Sequence, residues 1–423
     1  MNQIMEIIED FKKPCYCGLD HQTAIKDVVV EYDALKKTGE ILKRNGFSKN
    51  LLLVADKNTL KAADGISDVL KDFTVTQKIY DDLRLATMEE VESVENIIKD
   101  KDISVISVGT GSLNDTCRLA CARQDKLLCI FATAPSMDGF ASYGAPIVKN
   151  GFKLSYDAKS PEVIIGDTKI LAAAPAPLKA AGFGDMMAKY VGLADWKISS
   201  ILTGEIYCEM VAALTRTAAD NLILMADKVQ QNDPDTAGEI FTSLLLTGIG
   251  MSFMKNSRPA SGSEHIIAHL IECLELRENK LPNLHGEDVG VATLYMLNYL
   301  QKAAQNRTVK AHKENLDLDN ILEFYGNMAP QVKELNTPTT ILSDINPQDI
   351  EEKWQDIRDA ILELPKTEKV LDAMKKAGCK ISVEDIEKPQ KLFEDAVKYS
   401  PYMRRRLTLL RLGDMIEYEN NPL

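Results

Sequence analysis

The chain has 423 residues, 45% hydrophobic and 27% charged, with a formal net charge of −13. That length calls for two domains, and the composition is that of a globular protein without a biased tract. The acidic balance argues against nucleic acid or an anionic membrane as the partner.

The first stretch, "MNQIMEIIEDFKKPC", is amphipathic and carries acids, so it lacks the basic-then-apolar layout of a signal peptide. No apolar run approaches the roughly 18 residues that a membrane span needs. The eight cysteines are scattered, and "CYC" at residues 15–17 is too tight for a zinc knuckle. Cys117 and Cys121 share a helix face as small buried groups. The expected compartment is the cytoplasm.

Up to residue 172, short β-branched runs alternate with helical patterns. The runs predict strands at 51–56, 73–80, 103–109, 127–133 and 162–167, with helical spacing in 31–46, 59–72, 87–100 and 113–124. This alternation predicts a parallel sheet with helices on both faces. After "ILAAAPAPLKAAG", punctuated by Pro175 and Pro177, almost everything has a helical period and no convincing strand follows. The expected organisation is an α/β dinucleotide-binding domain over residues 1–172 and an all-helical domain over 173–423. A ligand cleft would lie between them.

"ISVISVGTGSLNDTCRLA" reads as strand, glycine turn, helix. Gly109 and Gly111 would let the backbone approach a pyrophosphate at the helix N-terminus. The same turn also closes ordinary βα junctions, and Asn114 replaces the third glycine of the dinucleotide fingerprint. Asp56, at the end of "LLLVAD", suits either the ribose hydroxyls of NAD or an N-cap of the next helix. It lies upstream of the glycine turn, against the standard order. "IFATAPSMDGFASYGAP" sets Thr133, Ser136, Asp138 and Ser142 directly after a strand, where α/β proteins bind ligands. The alternative is a loop that hydrogen-bonds its own backbone.

Of the five histidines, His265, His269 and His285 fall within twenty-one residues. His265 and His269 are one helical turn apart, His285 opens a helix after Pro282, and Asp185 begins a helix in "GFGDMMAKY". One carboxylate with two or three imidazoles suits Zn²⁺, Ni²⁺ or Fe²⁺ and leaves positions open for a substrate oxygen. Singly, each residue also has a structural reading: a cap for Asp185, an interior histidine for His269 and a helix end for His285. The HxxxH spacing lacks the glutamate of the zincin HExxH.

Five segments in order, "GTGSLND", "TAPSMDGFAS", "GFGDMMAKYVGLADW", "RPASGSEHIIAH" and "NLHGEDVG", resemble the sn-glycerol-1-phosphate dehydrogenases. These belong to the dehydroquinate synthase and iron-containing alcohol dehydrogenase superfamily, and the resemblance extends over nearly the whole chain. It implies a Rossmann-like N-terminal domain with a helical C-terminal domain, in a cytoplasmic homo-oligomer that is a dimer or larger. NAD(H) or NADP(H) would contact Asp56, Gly111, Ser112, Leu113, Asn114, Asp115, Thr133, Ala134, Pro135, Ser136 and Ser142. Asp185, His265 and His285 would hold one divalent ion, zinc first, with nickel or iron as alternatives. Asp138 and His269 would be catalytic and, with Asp185, would contact the substrate.

The implied reaction is hydride transfer between NAD(P)H and dihydroxyacetone phosphate, giving sn-glycerol 1-phosphate for phospholipid synthesis. The partner is thus a small phosphorylated substrate, with no nucleic acid and no membrane insertion. Lys189 and Arg258 stand near the motifs as candidates for the phosphate, or as solvated charges. Three departures matter. Thr110 interrupts the run of three glycines usual in the family. Lys189 replaces a metal-binding histidine of iron alcohol dehydrogenases, and Asp185 stands where dehydroquinate synthases have Glu. The readings held against the first are a polyol dehydrogenase such as a glycerol dehydrogenase, and a metal- and NAD-dependent carbocycle synthase.

Overall fold

Runs that are hydrophobic on both sides belong in the middle of a parallel sheet covered on both faces. The computed structural model, which describes residues 3–422, places them there. Its eight longer strands are β1 (Asp27–Glu31), β2 (Asn50–Asp56), β3 (Thr74–Tyr80), β4 (Ser104–Gly109), β5 (Leu128–Ala132), β6 (Gly144–Lys149), β7 (Phe152–Asp157) and β8 (Val163–Asp167). Six of them form one parallel sheet in the order β1-β8-β5-β4-β2-β3. Every residue of β4, β5 and β8 is buried, whereas β3 at the edge is largely exposed.

All five predicted strands are present. Two features escaped the sequence reading. β1, "DVVVE", runs into a helical pattern and pairs with β8 at the other edge. β6 and β7 form an antiparallel hairpin closed by Asn150 and Gly151, with φ of 52° and 74°. That Asn-Gly pair is a strong short-range hairpin signal, because both residues tolerate positive φ.

Helices α1 (Gln3–Phe11), α2 (Thr38–Arg44), α3 (Lys57–Ala62), α4 (Ile66–Val69), α5 (Met88–Ile98), α6 (Gly111–Arg123) and α7 (Thr168–Ala172) flank the strands. The rest is helical, led by α8 (Ala176–Met187), α9 (Lys189–Thr203), α10 (Glu209–Ile223), α11 (Pro234–Met254), α12 (Ser263–Arg277) and α13 (His285–Ala303). The sole strand pairing there, among the described residues, is a two-residue ladder of Lys310–Ala311 with Ile416–Glu417.

α11 joins the two halves. Its 21 residues are long and apolar enough to cross a membrane, contrary to the expectation from the sequence, yet 83% of its most apolar 18-residue window is buried inside the protein. A helix that is apolar all round is a core helix when both sides are covered. Ile240 and Leu244 enter the core of the helical half, while Phe241, Leu245 and Ile249 enter the core beneath the sheet. Phe241 meets Phe140 edge to face at 4.9 Å, so the ligand-side loop after β5 rests directly on this helix.

Close approach of α8 and α13 sets the site. A Cβ on Gly286 would fall 1.9 Å from the Ala181 carbonyl oxygen, so only glycine fits there. This contact brings Asp185 of α8 beside His285 at the start of α13.

Candidate active site

The C-terminal ends of β2, β4 and β5 open on a cavity of about 1010 Å³ whose far wall is built by α12, α13 and the segment around Arg404. A ligand at the carboxyl ends of parallel strands is the usual arrangement in open α/β sheets. Of the residues singled out from the sequence, Asp56, Gly111, Ser112, Leu113, Asp115, Thr133, Ala134, Ser136, Asp138, Ser142, His265, His269 and His285 line this cavity. Asn114, Pro135 and Asp185 do not. Asn114 is fully buried and accepts a hydrogen bond from Ser107 Oγ at 2.8 Å. Pro135 turns its carbonyl toward α8, where a Cβ on Gly182 would meet it at 2.0 Å. Asp185 lies just behind the wall.

On the sheet side, α6 starts at Gly111 without a side-chain cap, so its first backbone N–H groups face the cavity end. A Cβ at Gly111 would meet nothing nearer than Met137 Cε at 3.9 Å, which leaves room over the turn. Asp56 does cap α3: its Oδ1 accepts from Thr59 N at 2.8 Å, and Thr59 Oγ1 accepts from Asp56 N at 3.0 Å. Both readings of Asp56 thus concern one side chain that caps a helix and borders the cavity. Arg118, buried, pairs with Asp115 at 2.5 Å and donates to the carbonyls of Phe140 and Gly144 at 3.2 and 3.3 Å. It clamps the loop that carries Asp138. Ser142 Oγ donates to the Gly144 carbonyl at 2.9 Å, so this loop does bond its own backbone as well.

On the helical side, ligand atoms of Asp185, His265 and His285 all lie within 4.8 Å of one another. His265 Nε2 is 3.4 Å from Asp185 Oδ1. Two glutamates orient the imidazoles. Glu264 Oε1 holds His265 Nδ1 at 2.6 Å, and Glu272 holds His285 Nδ1 at 2.9 Å and His269 Nδ1 at 3.0 Å. A carboxylate on Nδ1 fixes the tautomer that leaves Nε2 as the donor atom, as around metal-bound histidines. The donor set, one carboxylate and two such imidazoles, fits a borderline divalent cation with open positions.

Lys189 completes the cluster. Its ammonium, fully buried, lies 2.7 Å from both Asp185 Oδ1 and Asp138 Oδ2 and donates to the Ala260 carbonyl at 3.2 Å. Asp138 N in turn donates to Asp185 Oδ2 at 2.9 Å. Burial opposes ionisation of Asp185, but Lys189 and His265 outweigh it and hold the carboxyl below its usual range. Asp138 is pushed the other way by burial and by the Asp185 charge. Burial also opposes protonation of His265, but hydrogen bonds to Asp185 and Glu264 raise it to about 9. Burial, then the Lys153 charge, keeps His269 neutral, well below the ordinary imidazole range.

Neither cation first considered for a phosphate faces the cavity. Lys189 is engaged as described, and Arg258 makes a two-pronged pair with Glu205 at 2.6 and 2.8 Å and donates to the Leu407 carbonyl. Arg404 and Arg406 line the cavity instead, beside Lys153. Arg406 donates to Ser261 O at 2.6 Å and Ser257 Oγ at 2.7 Å. Burial, with the charges of Arg258 and Arg404, lowers it to about 9. Neither Arg404 nor Arg406 pairs with a carboxylate among the described residues. The sequence reading missed them: they sit in the basic run "MRRRL", which nothing local ties to the histidines. Glu264 and Glu272 also escaped the sequence reading, although Glu264 directly precedes His265 and Glu272 follows His269 by three residues.

A relative named glycerol-1-phosphate dehydrogenase (NAD(P)+) from Geobacillus thermodenitrificans is 31% identical over 309 residues, covering 71% of this chain and 76% of that protein. The chain belongs to the glycerol-1-phosphate dehydrogenase family. A relative of the same name from Bacillus licheniformis aligns over 97% of this chain and 94% of its own length, at 27% identity. The profile of the family described as iron-containing alcohol dehydrogenase matches residues 29–175. Among solved structures, maleylacetate reductase from Rhizobium sp. strain MTP-10005 superposes with a TM-score of 0.61 over 94% of this chain and 96% of that one. At 15% identity, that likeness is one of fold.

Proposed function

We propose that this chain is an oxidoreductase interconverting dihydroxyacetone phosphate and sn-glycerol 1-phosphate, using NAD(H) or NADP(H) and one divalent ion, zinc first. The observation that carries the reading is the Asp185, His265 and His285 cluster, set across one cavity from an uncapped helix N-terminus in a chain of this family. When bound, the ion polarises the ketone oxygen and the nicotinamide supplies the hydride.

The chain's own residues do the rest. The first turn of α6 faces the cofactor pyrophosphate with backbone N–H groups and the positive end of its dipole. Lys189 fixes Asp185 and Asp138 in one geometry, and Glu264 and Glu272 fix the imidazoles. Neutral His269, with Nδ1–H held by Glu272, relays a proton through Nε2: from the alcohol to water when the alcohol is oxidised, and from water to the alkoxide when the ketone is reduced. Arg404 and Arg406 are cavity cations without an acidic partner among the described residues, which suits a substrate phosphate. The same reading makes the protein a cytoplasmic homo-oligomer, dimer or larger, serving phospholipid synthesis.

The phosphate tests the substrate class. Arg406→Leu is expected to raise KM for dihydroxyacetone phosphate on the order of 10²-fold, the loss of one charge-assisted contact of about 3 kcal/mol. Activity on unphosphorylated dihydroxyacetone, read in the same steady-state assay, stays near its wild-type level. A wild-type enzyme faster on glycerol than on glycerol phosphate would instead favour a polyol dehydrogenase.

Asp56 tests the cofactor. A carboxylate at the ribose repels a 2′-phosphate, while serine preserves the α3 cap. Asp56→Ser is therefore expected to shift preference from NADH toward NADPH with stability changed by less than about 1 kcal/mol. An unchanged ratio of kcat/KM for the two cofactors would place Asp56 away from the ribose.

A further inference from the structure

A second group of metal-ligand side chains lies outside this cavity, at the junction of the N-terminal segment with the helical half. The Sγ atoms of Cys15, Cys17 and Cys208 and a ring nitrogen of His21 all lie within 4.8 Å of one another. Cys15 Sγ is 3.6 Å from Cys208 Sγ, and His21 Nε2 is 3.4 Å from Cys208 Sγ and 3.2 Å from Cys17 Sγ. Zinc bond lengths of about 2.3 Å to sulfur and about 2.0 Å to nitrogen, in a tetrahedron, imply sulfur–sulfur edges of about 3.8 Å and sulfur–nitrogen edges of about 3.5 Å. The three edges given above are within a few tenths of an ångström of these, and the other three are no longer than 4.8 Å. We infer that Cys15, Cys17, His21 and Cys208 form a closed, tetrahedral structural site for a zinc-like divalent cation.

The sequence alone hid this site because "CYC" is too tight to be a knuckle, and its remaining ligands come from elsewhere. Local geometry makes the tight pair usable. Gly18 N donates to the Cys15 carbonyl at 3.0 Å, and Gly18 has φ of 77°, a conformation that favours glycine. Tyr16 between the two cysteines is fully exposed, so the chain projects it outward while the flanking thiols converge. His21 follows four residues after Cys17. Its ring is 1% exposed and is held between Phe11 and Phe253, with centroids 5.7 and 5.8 Å away. His21 Nδ1 faces the Phe253 carbonyl at 3.4 Å, which directs Nε2 at the sulfurs. Cys208 is the N-cap residue of α10 and is 1% exposed.

Four protein ligands leave no open coordination position, so the site is structural rather than catalytic. It ties the segment before β1 to α10 and, through the Phe253 carbonyl, to the end of α11. His21 and Cys208 are 187 residues apart in sequence, so the ion closes a very long loop and its binding energy adds to folding.

The test is metal-free protein reloaded with Co²⁺ and read by absorption. The expected result is a thiolate-to-cobalt charge-transfer band with tetrahedral ligand-field intensity in wild type. The same band is expected in His285→Ala, whose other metal cluster contains no cysteine. It disappears in Cys17→Ser and in Cys208→Ser, and each of these variants, loaded with zinc, holds one ion fewer per chain than wild type. Should the serine variants fail to fold, zinc X-ray absorption on the wild-type protein reads sulfur neighbours directly. Absence of the band and of sulfur neighbours in wild type would overturn the site. So would a band that survives in Cys17→Ser, or a Cys15–Cys208 disulfide in protein purified under reducing conditions.

Discussion

His285→Ala is expected to lose the cavity ion and turnover together while keeping its fold. His285 is the most accessible member of its cluster, with 26% of its side chain exposed. Its removal leaves Glu272 paired to Lys153 at 2.6 Å and to His269, so no buried carboxylate is stranded. The stability cost is that of one hydrogen bond, about 1 kcal/mol. His265→Ala loses the ion as well but costs more, about 1–3 kcal/mol, because Glu264 is fully buried and loses its imidazole partner. Elemental analysis per chain, together with denaturant unfolding, separates the two effects. Either variant with wild-type metal content and turnover would remove that residue from the ligand set.

His269→Ala is expected to keep the ion and to lose turnover by on the order of 10²–10⁴, as for other acid–base residues. Its ring centroid lies 6.3 Å from that of His265 and 5.1 Å from that of His285, close enough to border the same ion but outside the Asp185 set. A second grouping of His269, Glu272 and His285 is also compact. In it, however, Glu272 is already held by two imidazoles and by Lys153, which is the arrangement of an orienting carboxylate rather than an open ligand. Metal loss in His269→Ala equal to that in His265→Ala would make His269 a ligand. Undiminished activity would make it a packed helix histidine.

The sheet was legible in the sequence because β2, β4, β5 and β8 are buried on both faces and read as unbroken apolar runs. β1 was not legible, because three valines before a long helical pattern carry too little length to set a period. The three histidines stood out by scarcity, but their supports did not. Glu264 and Glu272 are ordinary helical residues until the fold turns them toward imidazoles. Lys189 resembled a surface cation four residues after Asp185, yet it is fully buried between two carboxylates. Arg404 and Arg406, which line the cavity beside Lys153, lie more than a hundred residues beyond the last histidine of the cluster, a distance that no local pattern spans. Cys208 likewise joins Cys15 and Cys17 only in three dimensions.

The most direct measurement is single-chemistry turnover by the zinc-reloaded enzyme. Dihydroxyacetone phosphate is added with NADH or NADPH, loss of reduced cofactor is followed, and the product is resolved by a chiral assay. The expected result is stoichiometric oxidation of the cofactor with sn-glycerol 1-phosphate as the product, abolished by His285→Ala. Formation of the sn-3 enantiomer, or product formation without net consumption of NAD(P)H, would contradict the account.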